Sequence, residues 1–93
     1  MLKVNEYFDG KVKSIGFETS EGKATVGVMA AGEYEFGTSS VEYMTVTSGK
    51  LTVLLPGSDQ WKDFAPNETF KVDAEVEFKV KTEATASYLC LYR

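Results

Sequence analysis

Glu42 opens the run Glu42-Tyr-Met-Thr-Val-Thr-Ser-Gly49, and the Glu-x6-Gly spacing singles out this acid as a candidate for chemistry. The chain has no histidine, so the commonest general base and commonest metal-ligating side chain are both missing. Chemistry is left to carboxylates, hydroxyls, amines, one guanidinium and the backbone. The guanidinium belongs to Arg93, the one side chain able to grip phosphate through two parallel hydrogen bonds. Lys11 and Lys13 share a strand face and are the next candidates for holding an anion, with Ser14 and Thr25 as hydroxyl donors. Cys90, the single cysteine, lies between Leu89 and Leu91 and reads as a packed thiol without an electropositive activator. No glycine-rich loop leads into a helix, so a helix N-terminus is not expected to cradle phosphate.

The elements that must position these residues are strands. Val76-Glu-Phe78-Lys-Val80-Lys alternates apolar and charged residues with a period of two. Tyr34, Phe36 and Thr38 share a parity, as do Glu42, Met44 and Val46, and then Leu51, Val53 and Leu55. Further strands are expected at 11–17, 24–29, 68–72 and 87–92. Ser20-Glu-Gly22, Ala31-Gly32, Ser48-Gly49, Pro56-Gly-Ser-Asp59 and Pro66-Asn67 supply turn chemistry between them. No stretch keeps a helical apolar period over three turns. About eight to ten strands are therefore expected, in an all-β barrel or jelly roll.

At 93 residues the chain has room for one domain, spanning 1–93. A domain this small buries only about 60% of the surface it exposes when unfolded, which makes dimerisation a natural way to bury more. Ten basic against 14 acidic residues leave a net charge of −4, which argues against nucleic acid or an anionic membrane surface as a partner. No segment approaches the roughly 18 apolar residues that cross a bilayer. The opening Met1-Leu-Lys-Val-Asn-Glu-Tyr7 does not read as a signal peptide, and a lone cysteine fits a reducing compartment; both point to the cytoplasm.

Glu42-x6-Gly49 is similar to the close of the first cupin motif, His-x-His, three or four residues, then Glu-x6-Gly. Counting back three from Glu42 puts the histidine positions at Phe36 and Thr38; counting back four puts them at Glu35 and Gly37. The first register matches the parity of Tyr34. In the second motif, Gly-x5-Pro-x-Gly-x2-His, Asn67 and Glu75 take the glycines, Asp73 the proline and Phe78 the histidine. Only Glu42 survives of the four ligand positions, which implies a metal-free member of the fold.

A second resemblance spans nearly the whole chain. Asn5-Glu-Tyr-Phe-Asp-Gly-Lys-Val-Lys-Ser-Ile-Gly-Phe17, Ala24-Thr-Val-Gly-Val-Met29, Gly32-Glu-Tyr-Glu-Phe36, Glu42-Tyr-Met-Thr-Val46 and Ser87-Tyr-Leu-Cys90 resemble the pyrimidine/purine nucleoside phosphorylase family of small cupin-like proteins. One departure is Leu91, where members carry arginine after the cysteine. The resemblance implies phosphorolysis without a cofactor. A nucleoside and inorganic phosphate would give free base and pentose 1-phosphate in a nucleoside salvage role.

On that reading Phe36 and Phe78 offer rings for a base to stack on, which tolerates any base. Tyr34 shares their face. Glu42 can accept hydrogen bonds from the ribose or, with a raised pKa, protonate the departing base. Thr38 opens a Thr-Ser-Ser run whose hydroxyls can reach phosphate or ribose. Arg93, Lys13 and Ser14 are the phosphate candidates. Each residue also has a plain structural reading: aromatics as core, Glu42 as an acceptor for backbone amides, lysines as solvated faces. A binding module without turnover and a filled barrel without a cavity are the competing functions.

Overall fold

The computed structural model describes residues 2–93. Ten strands follow in order: β1 (Lys3–Tyr7), β2 (Val12–Thr19), β3 (Gly22–Met29), β4 (Gly32–Gly37), β5 (Glu42–Ser48), β6 (Leu51–Leu54), β7 (Lys62–Phe64), β8 (Thr69–Val72), β9 (Glu77–Thr82) and β10 (Ala86–Tyr92). They form a six-stranded sheet, β1-β2-β3-β10-β5-β8, facing a four-stranded sheet, β4-β9-β6-β7, and every pairing is antiparallel. The fold is a jelly roll open at its edges rather than a closed barrel. Neither β1 nor β8 forms a ladder with a strand of the smaller sheet, so side chains rather than backbone span the gaps.

Alternation decides which face of each strand turns inward. In β9 Phe78, Val80 and Thr82 are buried while Glu77 and Lys79 are exposed. On the outer face of the small sheet Glu33 lies opposite Lys81 and Glu35 opposite Lys79, pairings of opposite charge that suit a solvated surface. Between the sheets, Val12, Met29, Val46 and Val72 of the large sheet meet Leu51, Val53 and Val80 of the small one. Full burial of side chains of this size contributes about 1.5–3 kcal/mol each.

Two strands escaped the sequence reading. β1 is exposed at four of its five positions, so it has no apolar alternation to detect. β7 is only three residues long.

Backbone conformation explains the motif positions. Gly49 (φ 79) turns the chain from β5 into β6, in the left-handed region that glycine enters freely. A Cβ there would sit 2.9 Å from the Cβ of Ala86 and 3.1 Å from the carbonyl oxygen of Thr85. Asn67 (φ 73) and Glu75 (φ 59) stand where the second cupin motif has glycine, and both are left-handed. Both non-glycine residues thus adopt a backbone that glycine enters freely. Gly49→Ala combines left-handed strain with overpacking, and we expect it to lower unfolding stability by about 2 kcal/mol in urea titrations, leaving the fold intact.

Candidate active site

One end of the sandwich is hollow. A cavity of about 260 Å³ lies between the sheets, near the lower bound of ~300–1,000 Å³ usual for small-molecule pockets. Ser14, Glu42, Met44, Tyr88, Cys90 and Tyr92 of the large sheet form one wall; Phe36, Gly37 and Phe78 form the other, and Tyr7 and Ser39 complete the lining. Phe36 and Phe78 face each other in register across β4 and β9, with ring centroids 5.8 Å apart.

The large-sheet wall depends on strand register. Ser14, Gly27, Tyr88 and Val46 form one row across β2, β3, β10 and β5, and Cys90 pairs with Met44 in the next. Tyr88 can lie across the sheet because Gly27 has no side chain: a Cβ there would be 2.3 Å from the ring. Ser14 is buried, and its Oγ accepts a 3.4 Å hydrogen bond from Nδ2 of Asn5 on the edge strand.

Polar groups form a line along this wall. The Cys90 thiol donates to Glu42 Oε1 at 3.5 Å, and the Tyr92 hydroxyl lies 3.0 Å from Thr25 Oγ1. Burial raises the Glu42 pKa above its ordinary value of 4.5, and the thiol's hydrogen bond only partly opposes this. Burial, with the Glu42 charge beside it, pushes Cys90 up to about 12, so the thiol is protonated at neutral pH and unsuited to nucleophilic attack. Tyr88 is likewise pushed up to about 12 by burial, and the Tyr92 phenol is raised for the same leading reason. The wall therefore offers O–H and S–H donors around one acid. Among the described residues, no lysine or arginine lines the cavity.

Of the residues singled out in the sequence, the fold brings Ser14, Phe36, Ser39 (from the Thr-Ser-Ser run), Glu42 and Phe78 together here. Tyr34 sits behind Phe36, with centroids 6.4 Å apart, and its hydroxyl donates to the Ala30 carbonyl at 2.7 Å. Thr38 clamps a turn: its Oγ1 donates to the Asp73 carbonyl at 2.7 Å and accepts from the Val76 amide at 3.1 Å. Lys13 pairs with Glu6 at 3.2 Å on an exposed face. Lys11 precedes β2 in the turn instead of sharing that strand. Arg93 Nη1 donates to the carbonyls of Glu21 (3.1 Å) and Tyr92 (3.2 Å).

Tyr7, Tyr88, Cys90 and Tyr92 were not read as site residues. The last three share one parity of a recognised strand, a signal that was available; Tyr7 depends on a strand with no pattern. Among the described residues, no three histidine, cysteine, aspartate or glutamate side chains converge as metal ligands.

The fold is a cupin-like jelly roll. An RmlC-like cupin from Shewanella frigidimarina superposes with a TM-score of 0.75 at 16% identity, over 96% of this chain and 80% of that one. The family model for pyrimidine/purine nucleoside phosphorylase matches residues 2–92, and the chain belongs to that family. A Marinobacter nauticus protein named pyrimidine/purine nucleoside phosphorylase is 60% identical over 92 residues, 99% of both chains. The crystal structure of a Vibrio parahaemolyticus protein of unknown function superposes with a TM-score of 0.93 at 40% identity, covering 97% of this chain and 96% of that one.

The raised Glu42 pKa has a consequence for stability. A carboxyl held above its unfolded pKa contributes stability that is fully present below about pH 4.5 and is lost as pH rises through the folded pKa. Glu42→Gln keeps an acceptor for the thiol and removes the buried charge. We expect it to be more stable than the wild type at pH 7, with the gain shrinking below pH 4.5, as read by urea unfolding at both pH values. A variant less stable at pH 7 would show the charge to be well solvated in the fold.

Proposed function

We propose that the chain, as one domain spanning 1–93, is a broad-specificity nucleoside phosphorylase acting in the cytoplasm in nucleoside salvage. The carrying observation is a half-buried carboxyl, Glu42, lining one cavity with two neighbouring aromatic rings, Phe36 and Phe78, whose centroids lie 5.8 Å apart. The C1′–N bond breaks with its electron pair leaving on the base. A phosphate oxygen forms the new bond to C1′. Protonated Glu42 supplies a proton to the departing base, as a general acid should. Phe36 and Phe78 stack the base, which explains acceptance of purines and pyrimidines together. Ser14 and Ser39 hydroxyls hold phosphate, and the lysine and arginine candidates outside the cavity take no direct part.

The assay follows base release from uridine and adenosine, with and without phosphate, in excess EDTA. Phosphate-dependent release that persists under chelation is expected, and Glu42→Gln should lower turnover at least about tenfold. In the wild type, the rate should fall as pH rises through the Glu42 pKa, and this limb should vanish in the variant. Near-normal turnover in the variant would reduce Glu42 to a structural acceptor. One observation favours a second reading: a cavity with no cation suits an uncharged nucleoside held without phosphate. Tight nucleoside binding with no release would establish that binding module instead.

The assembly we propose is a homodimer. Val4, Ile15 and Val26, each at least 42% exposed, lie in one row with Leu89 across the outer face of the large sheet. An apolar stripe of this kind marks a protein contact. Sedimentation should give a dimer, and Val26→Lys a monomer; a monomeric wild type would refute the assignment.

A further inference from the structure

The turn between β1 and β2 holds an aromatic residue where the backbone disfavours one. The Gly10 amide donates to the Tyr7 carbonyl at 3.1 Å, and the two residues between, Phe8 (φ 53) and Asp9 (φ 57), are both left-handed. Such a turn is made easily by asparagine, aspartate or glycine, and Asp9 fits it. A bulky residue does not. Nor does Phe8 gain much from burial, since it remains 43% exposed.

What Phe8 does gain is a seat on the opposite sheet. Its ring centroid lies 4.9 Å from Tyr34 and 5.6 Å from Phe36, the latter edge-on at 89°. The seat is firm. Tyr34 is anchored through its hydroxyl to the Ala30 carbonyl, and Gly32 leaves room for it, since a Cβ there would be 2.9 Å from that hydroxyl. Phe36 is itself a cavity wall, and the residue before Phe8 is Tyr7, which also lines the cavity. No ladder joins β1 to β4, so these rings span the gap between the two sheet edges.

We propose that Phe8 is a positioning residue for the nucleoside site: seated on Tyr34 and Phe36, it fixes the hairpin tip so that Tyr7 closes the cavity beside the bound nucleoside. This rests on the phosphorylase reading for its ligand, though not for its geometry. The strain of the left-handed phenylalanine is tolerated because the ring joins one sheet to the other at the site's rim. A residue that merely made the turn would do so better as glycine.

Phe8→Gly satisfies the turn and removes the seat; Phe8→Asn does the same if the glycine variant does not fold. Phe8→Tyr keeps the ring. Three readouts decide. Ring-to-ring NOEs between Tyr7 and Tyr88 are expected in the wild type and Phe8→Tyr and to be lost in Phe8→Gly. KM for uridine should rise at least about tenfold in Phe8→Gly with KM for phosphate within about twofold, and Phe8→Tyr should restore it. Uridine titration calorimetry of the same proteins should show the same loss and recovery of affinity. Retained NOEs in Phe8→Gly, an unchanged uridine KM or affinity, or failure of Phe8→Tyr to restore them would overturn the proposal. Absence of base release by the wild type would sink the phosphorylase reading alone, because the NOEs and calorimetry still judge Phe8.

Discussion

Tyr88 lies flat across the large sheet because position 27 has no side chain, and the shape of the whole hollow end follows from that. A Cβ on Gly27 would occupy space the ring already fills. The glycine weakens β3 locally, since a residue without a side chain has more backbone freedom to lose on folding. In return one tyrosine covers two strands and becomes the cavity floor. Its hydroxyl end lies over Gly27 of the neighbouring strand, and Val46, Val53 and Val80 pack the core between the sheets. A smaller residue at 88 would deepen the hole into the core. A larger one at 27 would push the phenol into the site.

The same wall explains why Glu42 is an unusual acid in this chain. Fourteen acidic side chains are present, and among the described residues Glu42 is the one that lines the cavity. Glu42 is the one placed by an inward parity next to Cys90, itself among the most buried residues. The thiol is held protonated and serves as a donor toward the carboxylate. That donor lowers the carboxyl's pKa, but by less than desolvation raises it, so the net shift is upward. Carboxyls poised in this way are the ones suited to giving and taking a proton.

Much of this was legible in the sequence, because strands announce themselves by period two and their ends by turn residues. Glu42, Phe36 and Phe78 were found through motif spacing, which encodes positions along inward strand faces. Asn67 and Glu75, placed by spacing at the motif's glycine positions, both take the left-handed backbone that glycine favours. What escaped was whatever depends on pairing. β1 has no buried apolar alternation to betray it, so Tyr7 and Phe8 gave no strand signal. Thr38 matched a ligand position, yet its hydroxyl is taken by the Asp73 carbonyl. Arg93 was chosen for its two-pronged grip and Lys13 for a strand face shared with Lys11; in the fold Lys13 pairs with Glu6 and Arg93 donates to the Glu21 carbonyl.

The absence of a cation from the cavity is then open to a physical reading. Beside a lysine or arginine, bound phosphate would be neutralised before the reaction starts. Surrounded by hydroxyls, it keeps its charge, and that charge meets its complement only when positive charge develops on the ribose. Attraction between the two is strong at short range in a partly dry site. It is larger in the transition state than in the ground state, which is the kind of interaction that accelerates a reaction. Phosphate beside Glu42 would also disfavour the ionised carboxylate, as like charges do, and so favour the protonated acid that the departing base requires. A cavity with one acid, several hydroxyls and no fixed positive charge is consistent with phosphorolysis on these terms, at the expense of tight phosphate binding.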